Sequence, residues 1–315
     1  MRAALSGLLA LVGCGRASAP TPTLPPVSAV SPRSDGEATP TRLPTRGVPV
    51  EVIRPFTSTL LNNTRTLAVY LPDDYDRQRS DTDTRYPVLY ANDGQDMTAV
   101  HLKQTLEALY RQGAIEKIIV VAVYATNDRL QEYGTANVPD YKGRGSRAGL
   151  YSRFVLEELM PYINDHYRTL TGPEHTRVMG WSLGGLMAFD LAWQHPQTFG
   201  AVGVFSGSFW WRDADADVSV LSSARIMHRL VREGNYHDGL QLWFEAGTQD
   251  EADDRDHNGV IDAIQDTTEL IDELRVKGYV DGEDMLYVEV ESGQHNPATW
   301  GEVLPEFLKW AFPKR

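Results

Sequence analysis

Along the chain, short apolar runs alternate with longer stretches in which apolar residues return every three or four positions. The runs fall at 50–54, 66–71, 86–91, 117–124, 176–180, 200–205, 240–246 and 285–291. Several are apolar almost without interruption, Ile118-Ile119-Val120-Val121-Ala122-Val123 above all, as strands covered on both faces should be. Helical periodicity occupies 97–111, 149–167, 184–195, 219–233, 262–277 and 300–311. This alternation predicts an α/β fold, a doubly wound and mostly parallel sheet with right-handed crossovers. Asn62-Asn63-Thr64 is too short a link for a crossover, so the first two runs should form an antiparallel hairpin at the N-terminal edge of the sheet. In such a sheet, ligands sit beyond the carboxyl ends of the strands.

One strand-to-helix junction carries distinctive chemistry. Gly180-Trp181-Ser182-Leu183-Gly184, followed by Gly185, separates the run ending at Met179 from the helical stretch starting near Leu186. A serine on a sharp strand–turn–helix seam, with glycines two before and two after, is the context of a nucleophile elbow. A serine hydroxyl needs a base to take its proton. In the chain order of such sites an acid and then a histidine follow, each after a later strand. Of eight histidines, His295 comes straight after the run 285–291 and before the closing helix. The acid should follow the run 240–246; Asp250 is the candidate, with Glu251, Asp253 and Asp254 as neighbouring rivals. It would accept the Nδ1–H of His295 and fix its tautomer. Donors for the oxyanion should be the backbone N–H of Leu183 and, from the loop after an earlier strand, that of Gln95 in Asn92-Asp93-Gly94-Gln95.

The ends of the chain add context. Met1-Arg2 and the apolar segment after it form a short secretory-type signal, too short to span a bilayer. Leu11-Val12-Gly13-Cys14 contains the sole cysteine and resembles the lipobox of bacterial lipoproteins, in which that cysteine is lipidated. Seven prolines among Ser, Thr and Ala follow up to residue 47, a composition that cannot bury a core. The expected organisation is a signal at 1–13, a lipidated cysteine and spacer at 14–47, and one globular domain at 48–315. A net charge of −13 argues against nucleic acid as partner. The only membrane contact expected is the lipid anchor on the cell envelope.

Behind the candidate acid lies Asp254-Arg255-Asp256-His257-Asn258-Gly259-Val260-Ile261-Asp262. It matches the first nine positions of a calcium loop, with Asp254, Asp256, Asn258, Val260 (through its carbonyl) and Asp262 as ligands. Position 12 is Gln265 where a bidentate Glu is usual. A solvated acidic loop is the competing explanation, and any ion would be structural, since the chemistry needs no cofactor. Phe209-Trp210-Trp211 could line an acyl pocket or pack in the core, and Lys142, Arg144 and Arg147 form a basic loop read as solvated.

Spread over about residues 50–310, the chain resembles the esterase branch of the α/β hydrolases: enterochelin, feruloyl and acetyl-xylan esterases, esterase D and mycolyltransferases. The residues that carry the likeness include Val69-Tyr70-Leu71-Pro72, Tyr86-Pro87-Val88-Leu89-Tyr90, Asp93-Gly94-Gln95, Arg129 with Glu132-Tyr133 and Glu158-Leu159-Met160-Pro161. They continue with the Ser182 elbow, Ser206-Gly207-Ser208, Gly247-Thr248 with Asp250, and Gly293 with His295 and Trp300. The resemblance implies an α/β-hydrolase fold, Ser182, Asp250 and His295 as a triad, and a small-molecule or glycan-linked ester as substrate. Two departures stand out: the extra N-terminal β domain of enterochelin esterases is missing, which weakens a siderophore substrate, and the acidic insertion is additional. The expected activity is ester hydrolysis through an acyl-enzyme. The alternatives are acyl transfer of the mycolyl type and a non-catalytic, calcium-stiffened binding lipoprotein.

Overall fold

The computed structural model describes residues 40–43, 47–75, 83–136, 138–215 and 223–314. The signal, Cys14 and most of the spacer lie outside the described residues. The described residues fall within one compact unit, Ala38–Arg315. Among the described residues nine strands form one sheet in the order β1-β2-β3-β5-β4-β6-β7-β8-β9. At one edge β1 (Thr41–Arg42), β2 (Val50–Ser58) and β3 (Asn63–Tyr70) run antiparallel, and β3 pairs antiparallel with β5 (Ile119–Val123). From there β5, β4 (Val88–Ala91), β6 (Thr176–Trp181), β7 (Ala201–Phe205), β8 (Gln241–Gln249) and β9 (Met285–Gln294) are parallel. The mixed, mostly parallel sheet and its antiparallel N-terminal edge match the expectation from sequence.

The continuous apolar runs have the predicted cause. All five residues of β5 are buried, and their side chains divide between two cores. Ile119, Val121 and Val123 join Tyr90, Val178, Val202 and Phe244 on one face; Val120 and Ala122 join Leu89, Met179, Phe205 and Trp243 on the other. The second face is closed by α1 (Leu102–Gln112) and α8 (Pro297–Ala311), which contribute Leu102, Leu106, Leu304 and Leu308. The first is covered by α3 (Ala148–Arg153), α4 (Met160–His166), α5 (Leu183–Gln194), α6 (Ile226–Glu233) and α7 (Asp262–Lys277). Helix α5 is buried along nearly its whole surface, which is why it lacks the polar face of an ordinary surface helix.

Four local expectations are corrected. Strand β1 lies inside the stretch assigned to the spacer, so the sheet begins before residue 48; its two residues are held by pairing with Val52 and Glu51. The hairpin turn occupies 59–62, because Asn63 and Thr64 are already paired with Ser58 and Thr57. A further short helix, α2 (Arg129–Glu132), was not foreseen. The helix expected over 149–167 is interrupted by a π-helical turn at Phe154–Leu159. That wider turn ends just before Pro161, which has no N–H to continue a tight α ladder.

Candidate active site

Strand pairing alone lines up four polar residues. Trp181 is opposite Phe205, and Phe205 is opposite Glu245, so Ser182 and Ser206 leave the carboxyl ends of β6 and β7 side by side. The Ser182 N–H bonds to the Phe205 carbonyl at 2.9 Å, and the Ser206 N–H to the Glu245 carbonyl at 2.8 Å. Further along, a bulge in β8 after Gly247 shifts the register so that Gln249 is opposite Gln294. The next residue on each strand is Asp250 and His295. A side chain on Gly247 would run into the Gly293 backbone, so the approach of these strand ends depends on a glycine.

Ser182 sits at φ 56°, ψ −129° between β6 and α5, a sparsely populated conformation for a residue with a side chain. Any Cβ on Gly180 would strike the Gly184 carbonyl. The turn therefore closes only with the glycines the sequence supplies. Leu183 is the first helical residue, whose N–H has no intrahelical acceptor, and no side chain caps this helix end.

The Gln95 loop abuts the same helix end. The Asn92 side chain donates to the Gly184 carbonyl at 2.9 Å, and its own oxygen accepts from the Tyr151 hydroxyl at 2.7 Å. Asp93 is buried in a left-handed conformation (φ 55°, ψ 48°) and takes both Nε and Nη2 of Arg129 at 2.7 Å. Gln95 falls in the short helical turn Gly94–Asp96, which also lacks a side-chain cap. Its amide side chain reaches Asp93 at 3.1 Å and accepts from the Ala125 N–H at 3.1 Å.

His295 Nδ1 lies 4.0 Å from Asp250 Oδ2. Asn296 caps α8 by accepting from the N–H groups of Ala298 and Thr299, which fixes the chain one residue beyond the imidazole. The ring meets Trp300 edge to face at 5.4 Å, and Trp300 stacks on Trp181 at 5.4 Å and 9°. Trp181 in turn donates to Asp96 at 3.1 Å. An indole pair thus ties the residue before Ser182 to the helix behind His295. Partial desolvation of the ring, whose side chain stays 39% exposed, lowers the proton affinity of His295 below the usual imidazole value; Asp250 opposes this and Arg129 adds to it. Burial also pushes the Asp250 carboxyl up, against the pull of the Ser206 hydroxyl, the Gly247 backbone and His295.

Other sequence candidates separate. Asp254, Asp256, Asn258, Val260 and Asp262 lie on one turn whose hydrogen bonds are largely internal. Asp254 accepts from the N–H groups of Asn258 at 3.1 Å and Gly259 at 2.9 Å. Asp256 is bonded by the Gln265 amide at 2.9 Å, and Asp262 is paired with Arg255 at 3.4 Å. Among the described residues no three carboxylate, histidine or cysteine side chains converge as a metal-holding group. Glu251, the nearest rival acid, is drawn towards α7, where the Ala263 backbone lowers it against a burial that pushes it up to about 7. Phe209 and Trp211 are core residues, while Trp210 is half-buried. Arg144 stacks on both tryptophans and pairs with Asp140, and Arg147 pairs with Asp128. The basic loop is therefore a structural tie as well as a solvated surface.

Sequence reasoning gave no role to the Asp93–Arg129 bridge, the Trp181–Trp300 stack, Ser206 or Glu245. A signal existed for the last: one carboxylate inside the apolar strand Leu242-Trp243-Phe244-Glu245-Ala246.

With this geometry in place, the comparisons with known proteins converge. The family model described as "Putative esterase" matches residues 58–311. The uncharacterised protein YbbA of Bacillus subtilis (strain 168) is 23% identical over 255 residues, covering 79% of this chain and 93% of its own length. A ferulic acid esterase structure superposes with TM-score 0.63 at 21% identity, covering 84% of this chain and 97% of that one. The enterobactin esterase of Shigella flexneri superposes with TM-score 0.63 at 18% identity over 86% of this chain, and the match spans 60% of that longer chain. The doubly wound sheet, the elbow serine and a family match over most of the folded unit place the chain in that esterase family of α/β hydrolases, as a carboxylic ester hydrolase.

Proposed function

We propose that the chain cleaves its ester through an acyl-enzyme on Ser182, with His295 as general base and Asp250 as the acid that orients it. The imidazole takes the Ser182 proton as the oxygen attacks the ester carbonyl. The N–H groups of Leu183 and Gln95 hold the oxyanion, and His295 then protonates the departing alkoxide. Water repeats the sequence on the acyl group and frees the serine. The observation that carries this reading is the strand register, which sets Ser182, Asp250 and His295 at the carboxyl ends of β6, β8 and β9. A lowered proton affinity suits His295 to the role, because a base must be neutral at working pH. A fluorophosphonate probe should label the wild type and leave Ser182→Ala unlabelled. Equal labelling of both would overturn the assignment.

The substrate is a small-molecule or glycan-linked ester. The structural neighbours, a ferulic acid esterase and an enterobactin esterase, support an acyl portion that carries an aromatic ring. A panel of p-nitrophenyl acetate, longer acyl esters, feruloyl esters and catecholate siderophore esters tests this, with feruloyl esters expected to give the highest kcat/KM. Acylated sugars among the products would turn the same acyl-enzyme into a transferase. The enzyme is exported and anchored to the cell envelope through a lipid on Cys14; loss of the membrane-bound pool in Cys14→Ala is the expected result. Calcium has only a structural place in this reading, on the 254–262 turn, whose left-handed Gly259 and Asp254 cap support it while Arg255 competes for Asp262.

A further inference from the structure

Ser206, just after β7, adopts a left-handed conformation (φ 46°), sparsely populated by residues other than glycine. Its hydroxyl stands at the centre of a buried polar cluster. Trp300 Nε1 donates to Ser206 Oγ at 2.8 Å. Glu245 Oε2 lies 3.5 Å from the same oxygen. The same hydroxyl opposes the burial that pushes the Asp250 carboxyl up. Ser206, Glu245 and Asp250 are all buried. Both Asp250 oxygens and Glu245 Oε1 are without a hydrogen bond within 3.5 Å among the described residues. Among the described residues the cation-forming side chain paired with either carboxyl is His295, 4.0 Å from Asp250.

Two buried carboxyl groups that act on one hydroxyl, the charge of one raising the other, with no guanidinium or ammonium paired to them among the described residues, hold one negative charge far more readily than two. A hydroxyl offers two lone pairs and a single proton. We propose that Ser206 and Glu245 are positioning residues behind Asp250: Trp300 N–H and the Glu245 carboxyl proton fill the lone pairs of Ser206 Oγ, and the Ser206 proton is turned onto Asp250. This rests on Asp250 being the acid of the triad. The arrangement leaves the charge on Asp250, the member of the pair that faces His295, and gives it a fixed donor in place of mobile water.

The titration behaviour agrees. Burial, with the Asp250 charge adding to it, pushes Glu245 up to about 8, so at neutral pH it carries the proton the arrangement needs. From β9, Tyr287 also faces the pair; burial raises it above the ordinary phenol range, and its hydroxyl is given to Glu289 at 3.1 Å. From the β9–α8 connection the facing group is His295, and from α8 it is Trp300, whose indole does not titrate.

The test is kcat/KM for p-nitrophenyl acetate between pH 5 and 10, on folded variants checked by melting temperature. Ser206→Gly tolerates the left-handed backbone and removes the hydroxyl. It should lower kcat/KM about tenfold at pH 7, through kcat and not KM. Glu245→Gln keeps an N–H donor for Ser206 and cannot ionise. It should stay within about twofold of wild type at pH 7 and lose any inflection near pH 8. In the wild type, the His295 ring protons followed by NMR should move a second time near pH 8 as Glu245 ionises, a readout that needs no variant. Wild-type kcat/KM in Ser206→Gly, a tenfold loss in folded Glu245→Gln at pH 7, or a single-step His295 titration would each overturn the proposal. Asp250→Asn separates the two levels. If it retains wild-type rates, the triad assignment fails; if it collapses while Ser206→Gly is unaffected, only the positioning role fails.

Discussion

Strand β8 delivers two groups of carboxylates within a few residues of each other, and they behave in opposite ways. Glu245 and Asp250 are buried, poor in hydrogen-bond partners and pushed up. Asp254, on the exposed turn beyond them, is lowered chiefly by the Gly259 N–H. Asp256 and Asp262 are bonded to Gln265 and Arg255. The turn has more acidic residues but spreads them over backbone N–H groups, an amide and a guanidinium. The inner pair has fewer, yet its placement against His295 and Ser206 makes every proton count. Depth and partners, more than the number of acids, decide which carboxylate can do chemistry.

The contrast can be broken most sharply by matched substitutions. Asp250→Asn should lower kcat/KM by about 10³- to 10⁴-fold, because the wrong imidazole tautomer is then favoured. Asp254→Asn and Asp262→Asn should each change it by less than about twofold. Steady-state kinetics on the three variants measures the gap, and comparable losses would erase the distinction.

A smaller effect lies in the pH profile. His295 is lowered from its ordinary value near 6.5, and the base must be neutral, so kcat/KM should fall only as pH drops through a point below 6.5. An acid limb above pH 7 would contradict the partly desolvated, Arg129-facing environment described for the ring.

Stability should also depend on pH, with a sign set by buried acids. Glu245 is raised to about 8, and Asp190, buried in α5, to about 7. A carboxyl raised in the folded state stabilises when neutral. That contribution is complete below its unfolded value and is lost as pH climbs through the folded one. The melting temperature should therefore decline between about pH 4 and 8. Asp190→Asn should flatten the part of this decline below pH 8, by about 2–4 °C, as scanning calorimetry across pH would show. The smallest effect is expected on the outer turn: calcium should raise the melting temperature by no more than about 2 °C and leave kcat unchanged, since Arg255 already serves Asp262.

Much of the molecule was legible in the sequence because its signals are local. Continuous apolar runs mark two-sided burial, and glycine spacing marks the elbow. Position after a strand marks Asp250 and His295. What escaped is held by distant partners. Thr41–Arg42 is a strand only because Val52 and Glu51 are there to pair with it. The bulge that brings Gln249 opposite Gln294 has no sequence mark beyond Gly247. In sequence Asp93 stands only as part of the oxyanion loop, whereas its carboxylate grips Arg129, 36 residues away. Ser206 belonged to a family motif without a role, and Glu245 matters through neighbours from β7 and α8.

Because the ladder between β8 and β9 already places Asp250 beside His295, the segment from 251 to 261 is relieved of any duty in aiming the acid. It is a module that can be exchanged or lengthened while the spacing of Asp250 and His295 is kept by the sheet. Grafted loops there would leave the hardware beneath undisturbed as long as they keep Arg255, which holds the buried Asp266.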